Sequence, residues 1–194
     1  MQYDRATALV VVDVQNDFAD PAGALYVRGG EDVVPVANRE ILRATDAGSV
    51  VVYTQDWHPP STPHFAKDGG IWPVHCVQGS WGAELHPALL RVDAIAVRSG
   101  ADGSDGYSAF TERHPLTGEE TDTGLASRLR ALGVERVVVL GLATDYCVRA
   151  TALDAVRAGF ATTVLRDGVR AVEREPGDGE RALEEMRQAG VDVP

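Results

Sequence analysis

The sequence has little of what disulfide-rich, membrane-spanning or nucleic-acid-binding proteins require. It contains 2 cysteines in 194 residues, too few for a disulfide framework, so we expect a cytoplasmic protein. No apolar run approaches the roughly 20 residues that cross a bilayer, and the first residues lack the pattern of a secretion signal. The formal net charge of −11 argues against nucleic acid and anionic membranes as partners.

What the sequence does contain is an alternation of short β-branched runs and helical patterns. Strands are predicted near 8–12, 49–54, 94–98, 136–140 and 161–165. Helices are predicted near 31–46, 124–132, 145–159 and 178–189, the last with Asp178 as its N-cap. This order is typical of βαβ units. Because the strands are continuously apolar, helices should cover both faces of the sheet. The prediction is one α/β domain over 1–194, a Rossmann-like three-layer αβα sandwich with a mainly parallel sheet.

Two long segments, 55–90 and 99–123, show no regular hydrophobic period. The first carries four of the five histidines, and loops of this length inside a compact domain are usually functional or disordered. In open parallel sheets, ligands bind at the carboxyl ends of the strands. Functional residues are therefore expected where the predicted strands end and within 55–90.

A candidate nucleophile and a candidate base follow two of these strands. Cys147 lies in the first turn of a predicted helix that Thr144 or Asp145 would cap, and helix N-terminal amides stabilise a thiolate. Asp13 ends an apolar strand, where a carboxylate is costly unless it has a partner or a task. It could act as general base towards the thiol. The alternatives are a buried structural cysteine and a carboxylate that only caps a neighbouring loop.

The segment 55–90 offers a candidate metal site. Its ligand types are one carboxylate and three imidazoles, at Asp56, His58, His64 and His75. The first two residues share one side of an extended segment, and a turn through Pro59–Pro60 can return the third to them. Such a set suits Zn²⁺, Mn²⁺ or Fe²⁺, although single loop histidines are usually only solvated. Phe18 and Trp72 are candidates to stack on a flat ring, although each alone would more often belong to the core.

Four segments together resemble one family. They are Asp13–Phe18 (DVQNDF), the Asp56/His58/His64/His75 set, Tyr107–Phe110 (YSAF) and Gly141–Val148 (GLATDYCV). On these residues the chain resembles the nicotinamidases (pyrazinamidases) of the isochorismatase-like superfamily over nearly its whole length. The metal quartet is the specific part of the resemblance, because isochorismatases and carbamoyl-amine hydrolases share the fold and generally lack the quartet.

The resemblance implies hydrolysis of nicotinamide, and of pyrazinamide, to the acid and ammonia through a cysteine thioester. Cys147 would attack the carboxamide carbon, and Asp13 would take its proton and return it to the leaving ammonia. The backbone N–H groups of Ala143 and Cys147 would hold the oxyanion, with a cis Leu142–Ala143 peptide.

The resemblance also implies one divalent metal ion, Zn²⁺ first and Fe²⁺ or Mn²⁺ as alternatives. In the family this ion binds the pyridine nitrogen and positions the ring. The ring would be lined by Phe18, Trp72 and Tyr107. The implied partner is a small aromatic amide, and a role in NAD salvage follows from the resemblance alone.

One position departs from the family pattern. The family carries a catalytic lysine at the end of the third strand, before a glycine, and Ser99 occupies that place here. Arg98 lies one residue earlier and should point to the opposite side of the strand. Lys67 is the only lysine of the chain. It lies among the predicted metal ligands in segment 55–90, the metal loop, which makes it an unsuitable substitute. Without a nearby cation the thiolate should be less populated near neutral pH.

Two other functions therefore stay open at this point. The chain could be a related cysteine amidase with another substrate, or a nicotinamide-binding protein whose chemistry is weakened by the loss of the lysine at Ser99. The sequence leaves the oligomeric state open, a homo-oligomer included.

Overall fold

A five-stranded parallel sheet forms the centre of the molecule in a computed structural model that describes residues 2–194. Its strands are β1 (Thr7–Val12), β2 (Val50–Asp56), β3 (Ile95–Ser99), β6 (Arg136–Leu142) and β7 (Ala161–Arg170). They lie in the order β3-β2-β1-β6-β7, and every neighbouring pair is parallel. Two short strands, β4 (Thr111–Arg113) and β5 (Glu120–Asp122), form a separate antiparallel pair. The five predicted strands of the main sheet are confirmed.

Helices cover both faces of this sheet. They are α1 (Asn16–Ala19), α2 (Val33–Asp46), α3 (Leu125–Ala131), α4 (Arg149–Arg157) and α5 (Asp178–Gln188). Helix α2 packs on one face and contributes to one hydrophobic cluster, whereas α3, α4 and α5 contribute to a second cluster on the other face. The predicted three-layer αβα sandwich is therefore confirmed.

Strand β1 shows how the sequence builds two cores. All six of its residues are buried. Leu9 and Val11 belong to the cluster under α2, while Ala8, Val10 and Val12 belong to the cluster under the other helices. Because successive side chains of a strand point to opposite faces, a continuously apolar strand has to be covered on both. Strand β3 lies at the edge, and its exposure alternates instead.

Some local features differ from the sequence-based prediction. Gly177, with φ of 87°, is the N-cap of α5, and Asp178 is its first residue. A left-handed φ is open to glycine at no steric cost, so the helix begins where the glycine ends the preceding turn. Segment 99–123, predicted as irregular, contains the β4–β5 pair. The helix predicted over 145–159 begins as a π-helical turn, Thr144–Val148, before α4.

The strand order brings two candidate catalytic residues together. The chain leaves β1 towards β2 on one side and returns through β6 on the other, so the topological switch lies between β1 and β6. Asp13 follows β1, and the turn that carries Cys147 follows β6. Ligand sites of open parallel sheets form at the carboxyl ends of strands at such a switch. No helix of residues 2–194 is both long and apolar enough to cross a membrane.

Because β1 lies at the centre of the sheet, Leu9→Ala should strongly lower the free energy of unfolding. The Leu9 side chain is fully buried between the sheet and α2, and such truncations typically cost about 2–5 kcal/mol of unfolding free energy. Leu132→Ala is the matched control, because Leu132 is 53% exposed and should change stability by no more than about 0.5 kcal/mol. Urea unfolding of the two variants measures this, and equal midpoints would contradict the assignment of Leu9 to the core.

Candidate active site and metal centre

The candidate nucleophile follows a strand, β6, that packs closely against its parallel neighbour β1. Gly141, near the end of β6, has φ of 127°, and a Cβ atom there would lie 2.0 Å from the carbonyl oxygen of Val12 on β1. Only glycine permits this approach. The Leu142–Ala143 peptide that follows is cis, as the resemblance implies. In the next turn Val148 donates its N–H to the Ala143 carbonyl, a π-type hydrogen bond of 3.1 Å. Cys147 lies in this turn and is 8% exposed.

The candidate base has an unusual backbone conformation. Asp13 is buried and has φ of 48°, a left-handed conformation that non-glycine residues rarely adopt. Thr54 of β2 holds its carboxylate, because the Thr54 hydroxyl donates to Oδ1 at 2.5 Å and accepts the Asp13 N–H at 3.1 Å. Strained residues persist only where their surroundings fix them, and they are frequent at functional sites.

Burial dominates the electrostatics of this pair. Burial, with the charge of Asp56, raises the pKa of Asp13 above its usual range, and Thr54, Cys147 and His58 offset only part of that shift. Burial, followed by the carboxylates of Asp13 and Asp56, also raises the pKa of the Cys147 thiol. This direction is opposite to the thiolate stabilisation expected from the helix N-terminus. The thiol keeps its proton near neutral pH, so this cysteine needs a base.

Neither Thr144 nor Asp145 caps the turn as expected, because its N-cap is Ala143 and no side chain bonds to the free amides there. The Asp145 carboxylate instead accepts the N–H groups of Val172 and Glu173 at 2.9 and 3.0 Å. Val172 lines a cavity whose wall also includes Cys147. Asp145 therefore fixes the segment that closes one side of the cavity.

The four predicted metal ligands converge. Asp56, His58, His64 and His75 are all buried, and one ligand atom from each lies within 4.8 Å of every other. Nδ1 of His75 donates to the Pro73 carbonyl at 2.7 Å, so the neutral imidazole carries its lone pair on Nε2, which lies 3.1 Å from Asp56 Oδ2. Neither ring nitrogen of His58 makes a well-formed hydrogen bond, although Nε2 lies 3.1 Å from the same Asp56 oxygen. Buried nitrogens without partners are costly, and three imidazoles with one carboxylate form a familiar zinc-type donor set. The residues fit a divalent metal ion.

Asp56 is held by a side chain from the DVQNDF segment. Gln15 donates Nε2–H to the Asp56 carbonyl at 2.7 Å and accepts the Asp56 N–H through Oε1 at 2.8 Å. Burial acts to raise the pKa of Asp56, but its interactions with His58 and His75 outweigh burial and lower the pKa below its usual range. The carboxylate is therefore available as an anionic ligand.

The next two residues of that segment hold the rest of the metal loop. Asn16 donates to the Trp81 carbonyl at 2.7 Å, and the Asp17 carboxylate accepts the N–H groups of Ala24 and Cys76 at 2.9 and 2.7 Å. Sequence reasoning found Gln15, Asn16 and Asp17 only through the resemblance. The structure gives its polar residues a physical role, which is to fasten the metal loop to the end of β1.

Two further residues shape the surroundings of the histidines. Nδ1 of His64 lies 2.9 Å from Oδ1 of Asp105, whose Oδ2 accepts from Arg113 at 2.8 Å. The His64 interaction, opposed by burial and assisted by Arg113, lowers the pKa of Asp105 to about 2. Gly100, with φ of 79°, lies so close to His58 that a Cβ atom there would be 2.6 Å from Nδ1. The imidazole thus packs directly on the backbone after β3.

One cavity is lined by the candidate nucleophile and by three of the four predicted metal ligands. Its walls are Phe18, Leu25, Asp56, His64, Trp72, His75, Tyr107, Ala143, Tyr146, Cys147 and Val172. The three predicted ring-lining residues are therefore all in its wall. Trp72 donates Nε1–H to the Tyr107 hydroxyl at 2.9 Å, and Tyr146 meets the Trp72 ring edge-on with centroids 4.9 Å apart. A small flat ligand would lie between aromatic side chains and imidazoles.

The structure places Ser99 on the site side of β3 and Arg98 on the other side. Ser99 pairs with Asp56 and Arg98 with Gln55 in the parallel register of β2 and β3, and paired residues of neighbouring strands face the same side. The Arg98 guanidinium stacks on the Trp57 ring, 4.1 Å from its centroid. Arg98 therefore does not take the place of the family's lysine.

Sequence reasoning missed Thr54, Tyr146 and Asp105 as neighbours of the site. Thr54 and Asp13 are 41 residues apart, as are His64 and Asp105, and no local pattern connects such pairs. Tyr146 carried a signal, because it precedes the candidate nucleophile in the GLATDYCV segment.

Comparison with known proteins agrees with this geometry. The family model described as Isochorismatase domain matches residues 7–193. The nicotinamidase of Escherichia coli (strain K12) is 40% identical over 201 residues, covering 95% of this chain and 92% of that protein. The crystal structure of pyrazinamidase of Pyrococcus horikoshii in complex with zinc has a TM-score of 0.85 at 41% identity, covering 97% of this chain and 98% of that one.

Two further comparisons bear on the ligand. A structure from L. infantum in complex with nicotinate has a TM-score of 0.87 at 38% identity, covering 100% of this chain and 95% of that one. The maleamate amidohydrolase of Pseudomonas putida is 32% identical over 176 residues, covering 90% of this chain and 76% of that protein. The chain belongs to the isochorismatase family of hydrolases, and its relatives place it among the amidohydrolases of that family.

The electrostatics of the site predict how Cys147 reacts with iodoacetamide. Modification should be slow near neutral pH and accelerate as the pH rises, because the reactive thiolate is suppressed by burial and by Asp13. Cys76 should resist modification, because it is fully buried and burial also raises its pKa. Mass spectrometry of the chelator-treated protein identifies the labelled cysteine, with Cys147→Ser as the control that keeps only Cys76. Labelling of Cys76 at a similar rate would contradict the prediction.

Proposed function

We propose that the chain is a nicotinamidase that hydrolyses nicotinamide, and also pyrazinamide, to the corresponding acid and ammonia. The observation that carries the proposal is the cavity itself, in which a thiol, an aromatic wall and members of a four-residue metal-ligand cluster face the same space. The similarity to nicotinamidases and to a zinc-containing pyrazinamidase supports it. Maleamate amidohydrolase has a substrate without a ring, which aromatic walls would suit less well.

The first half of the reaction forms a thioester. Asp13 accepts the proton of the Cys147 thiol as the sulfur attacks the carboxamide carbon. The backbone N–H groups of Ala143 and Cys147 are proposed to donate to the oxyanion, and such a donor is worth about 2.7–4 kcal/mol of the barrier. Asp13 then gives the proton to the departing nitrogen. The C–N bond breaks, ammonia leaves, and the acyl group stays on sulfur.

The second half releases the acid. Asp13, again ionised, takes a proton from a water molecule whose oxygen attacks the thioester carbon. The C–S bond breaks, the acid forms, and the proton returns to the Cys147 thiolate. The raised pKa of Asp13 suits a group that both accepts and donates a proton near neutral pH.

The ring is proposed to lie between Phe18, Trp72 and Tyr107. A divalent ion bound by Asp56, His58, His64 and His75, with Zn²⁺ proposed first and Fe²⁺ or Mn²⁺ as alternatives, would supply a Lewis-acidic partner for the ring nitrogen. The side chains themselves exclude water, orient the carboxamide towards Cys147 and keep the ring flat against aromatic surface.

The missing lysine supports a second candidate, a nicotinamide-binding protein with weakened chemistry. Ser99 brings no positive charge to the site side of β3, and Arg98 is stacked on Trp57 elsewhere. Among the carboxylates near Asp13, Asp56 acts most strongly on it, and its charge raises the pKa of Asp13. Turnover in the unaltered protein separates the two candidates.

Release of nicotinate and ammonia from nicotinamide tests the proposal directly. Zinc-loaded protein should turn nicotinamide over, and Cys147→Ala should abolish turnover while leaving nicotinamide bound, because only the attacking sulfur is removed. Cys76→Ala is the matched control and should keep most of the activity, because Cys76 lies outside the cavity wall. No turnover by the unaltered protein, or equal turnover by Cys147→Ala, would overturn the assignment.

Ser99→Lys should raise turnover below neutral pH. Asp13 must be ionised to accept the thiol proton, so kcat/KM is lost as pH falls through its raised pKa. A nearby ammonium lowers a carboxyl pKa by about 1–3 units, so the ascending limb of the pH profile should move to lower pH. Ser99→Met, of similar length without charge, should leave the limb in place. If the ascending limb of the pH profile does not move in Ser99→Lys, the absence of the cation has no effect on Asp13.

A further inference from the structure

The three histidines of the metal-ligand cluster are held in three different ways. His75 bonds through Nδ1 to the backbone carbonyl of Pro73, two residues away. The His58 ring packs against Gly100, and only its Nε2 approaches a polar atom, Asp56 Oδ2 at 3.1 Å. His64 is held by the side chain of Asp105, which comes from the segment between β3 and β4, 41 residues further along the chain.

Asp105 is itself firmly fixed. Its Oδ1 accepts the N–H of Gly106 at 2.9 Å as well as facing His64, and its Oδ2 accepts from the Arg113 guanidinium at 2.8 Å. Asp105 and Arg113 also exchange both of their backbone hydrogen bonds, at 2.6 and 2.5 Å. The carboxylate is thus tied to its neighbour by side chain and by backbone. A group held in this way can set the orientation of an imidazole without reorganising.

We propose that Asp105 is a positioning residue of the metal centre, that it fixes His64 with Nε2 directed at the ion, and that Arg113 holds Asp105 in place. An anionic acceptor on Nδ1 requires Nδ1 to carry the hydrogen, so the lone pair lies on Nε2. The acceptor also makes the imidazole a stronger donor to a metal. The inference rests on the metal site of the proposed function, but it concerns metal affinity and needs no substrate.

The segment between β3 and β4 that carries Asp105 also contacts the aromatic wall of the cavity. Tyr107 lies two residues after Asp105 and accepts the Trp72 indole N–H at 2.9 Å, and Trp72 belongs to the loop that carries His64 and His75. The segment between β3 and β4 therefore contacts the metal loop through two side chains. One of them, Asp105, faces a ligand, and the other, Tyr107, lines the cavity.

Metal affinity tests the role of Asp105. The dissociation constants of Zn²⁺ and Co²⁺ are measured on the metal-free full chain by competition with a chromogenic chelator. Loss of a group that orients a ligand typically weakens affinity 10–100-fold, and Asp105→Ala should fall in that range. Asp105→Asn keeps an oxygen acceptor and should lose less. Arg113→Gln, which leaves Asp105 facing His64, should also lose less than Asp105→Ala.

Asp102→Asn is the matched control, because Asp102 lies in the same segment and accepts the N–H of Ser104 at 2.9 Å without touching a ligand. Its metal affinity should equal that of the unaltered chain. The visible spectrum of bound Co²⁺ is a second readout, and it should change in Asp105→Asn and not in Asp102→Asn. The melting temperature of the metal-free variants identifies any general loss of folding, and Asp105→Asn, similar in shape to the native residue, covers the case in which Asp105→Ala does not fold.

Unchanged Zn²⁺ and Co²⁺ affinity in folded Asp105→Ala, or an equal loss in Asp102→Asn, would overturn the inference. So would failure of the unaltered chain to bind either ion. Loss of affinity in Asp105→Ala supports the inference even if the unaltered chain does not hydrolyse nicotinamide. In that case the proposed nicotinamidase function is wrong, but Asp105 is still a positioning residue of a metal site. If the unaltered chain hydrolyses nicotinamide and Asp105→Ala leaves metal affinity unchanged, the proposed function stands and the role of Asp105 fails.

Discussion

The carboxamide of Gln15 holds the two halves of the site in register. It meets both backbone polar groups of Asp56, at 2.7 and 2.8 Å, in the pattern that a neighbouring strand would use. The thiol and its base lie at the ends of β6 and β1, whereas the metal ligands begin at the end of β2. Gln15 follows β1 by a few residues, so this one side chain ties the end of β2 to the half of the site that carries Asp13. A shift of this amide would move the first metal ligand relative to the carboxylate that is proposed to take the proton.

Burial sets the chemistry of these groups more than any single charge does. Asp13, Asp56 and Cys147 are all shielded from water, and each anionic group makes ionisation of the others less favourable. The balance differs from group to group. Asp56 has two imidazoles beside it and its pKa is lowered, whereas Asp13 has a hydroxyl and a thiol, and its pKa is raised. Two carboxylates on adjacent strands thereby acquire the different tasks of ligand and base.

The sheet could be predicted from the sequence because its strands are buried on both faces, which leaves uninterrupted apolar runs. The outward direction of Arg98 could also be predicted, since it follows from the alternation of side chains along a strand. Other features depend on distant contacts. The hydroxyl of Thr54 on Asp13, the carboxylate of Asp105 on His64 and the role of Asp145 at Val172 each join segments that are tens of residues apart. The position of Cys147 at a helix start favoured a thiolate, but burial and the carboxylates of Asp13 and Asp56 raise the pKa of its thiol, and Asp13 and Asp56 lie far from it in sequence.

The scarcity of lysine has a practical consequence for this molecule. Lys67 is the only lysine, and it lies in the short 3-10 turn Ala66–Asp68 of the metal loop, with its side chain 45% exposed and paired with Asp68. Amine-directed reagents therefore have one side-chain target in the whole chain, three residues after His64. A fluorophore on that side chain would report on the metal loop, without any engineered cysteine that could compete with the native thiols.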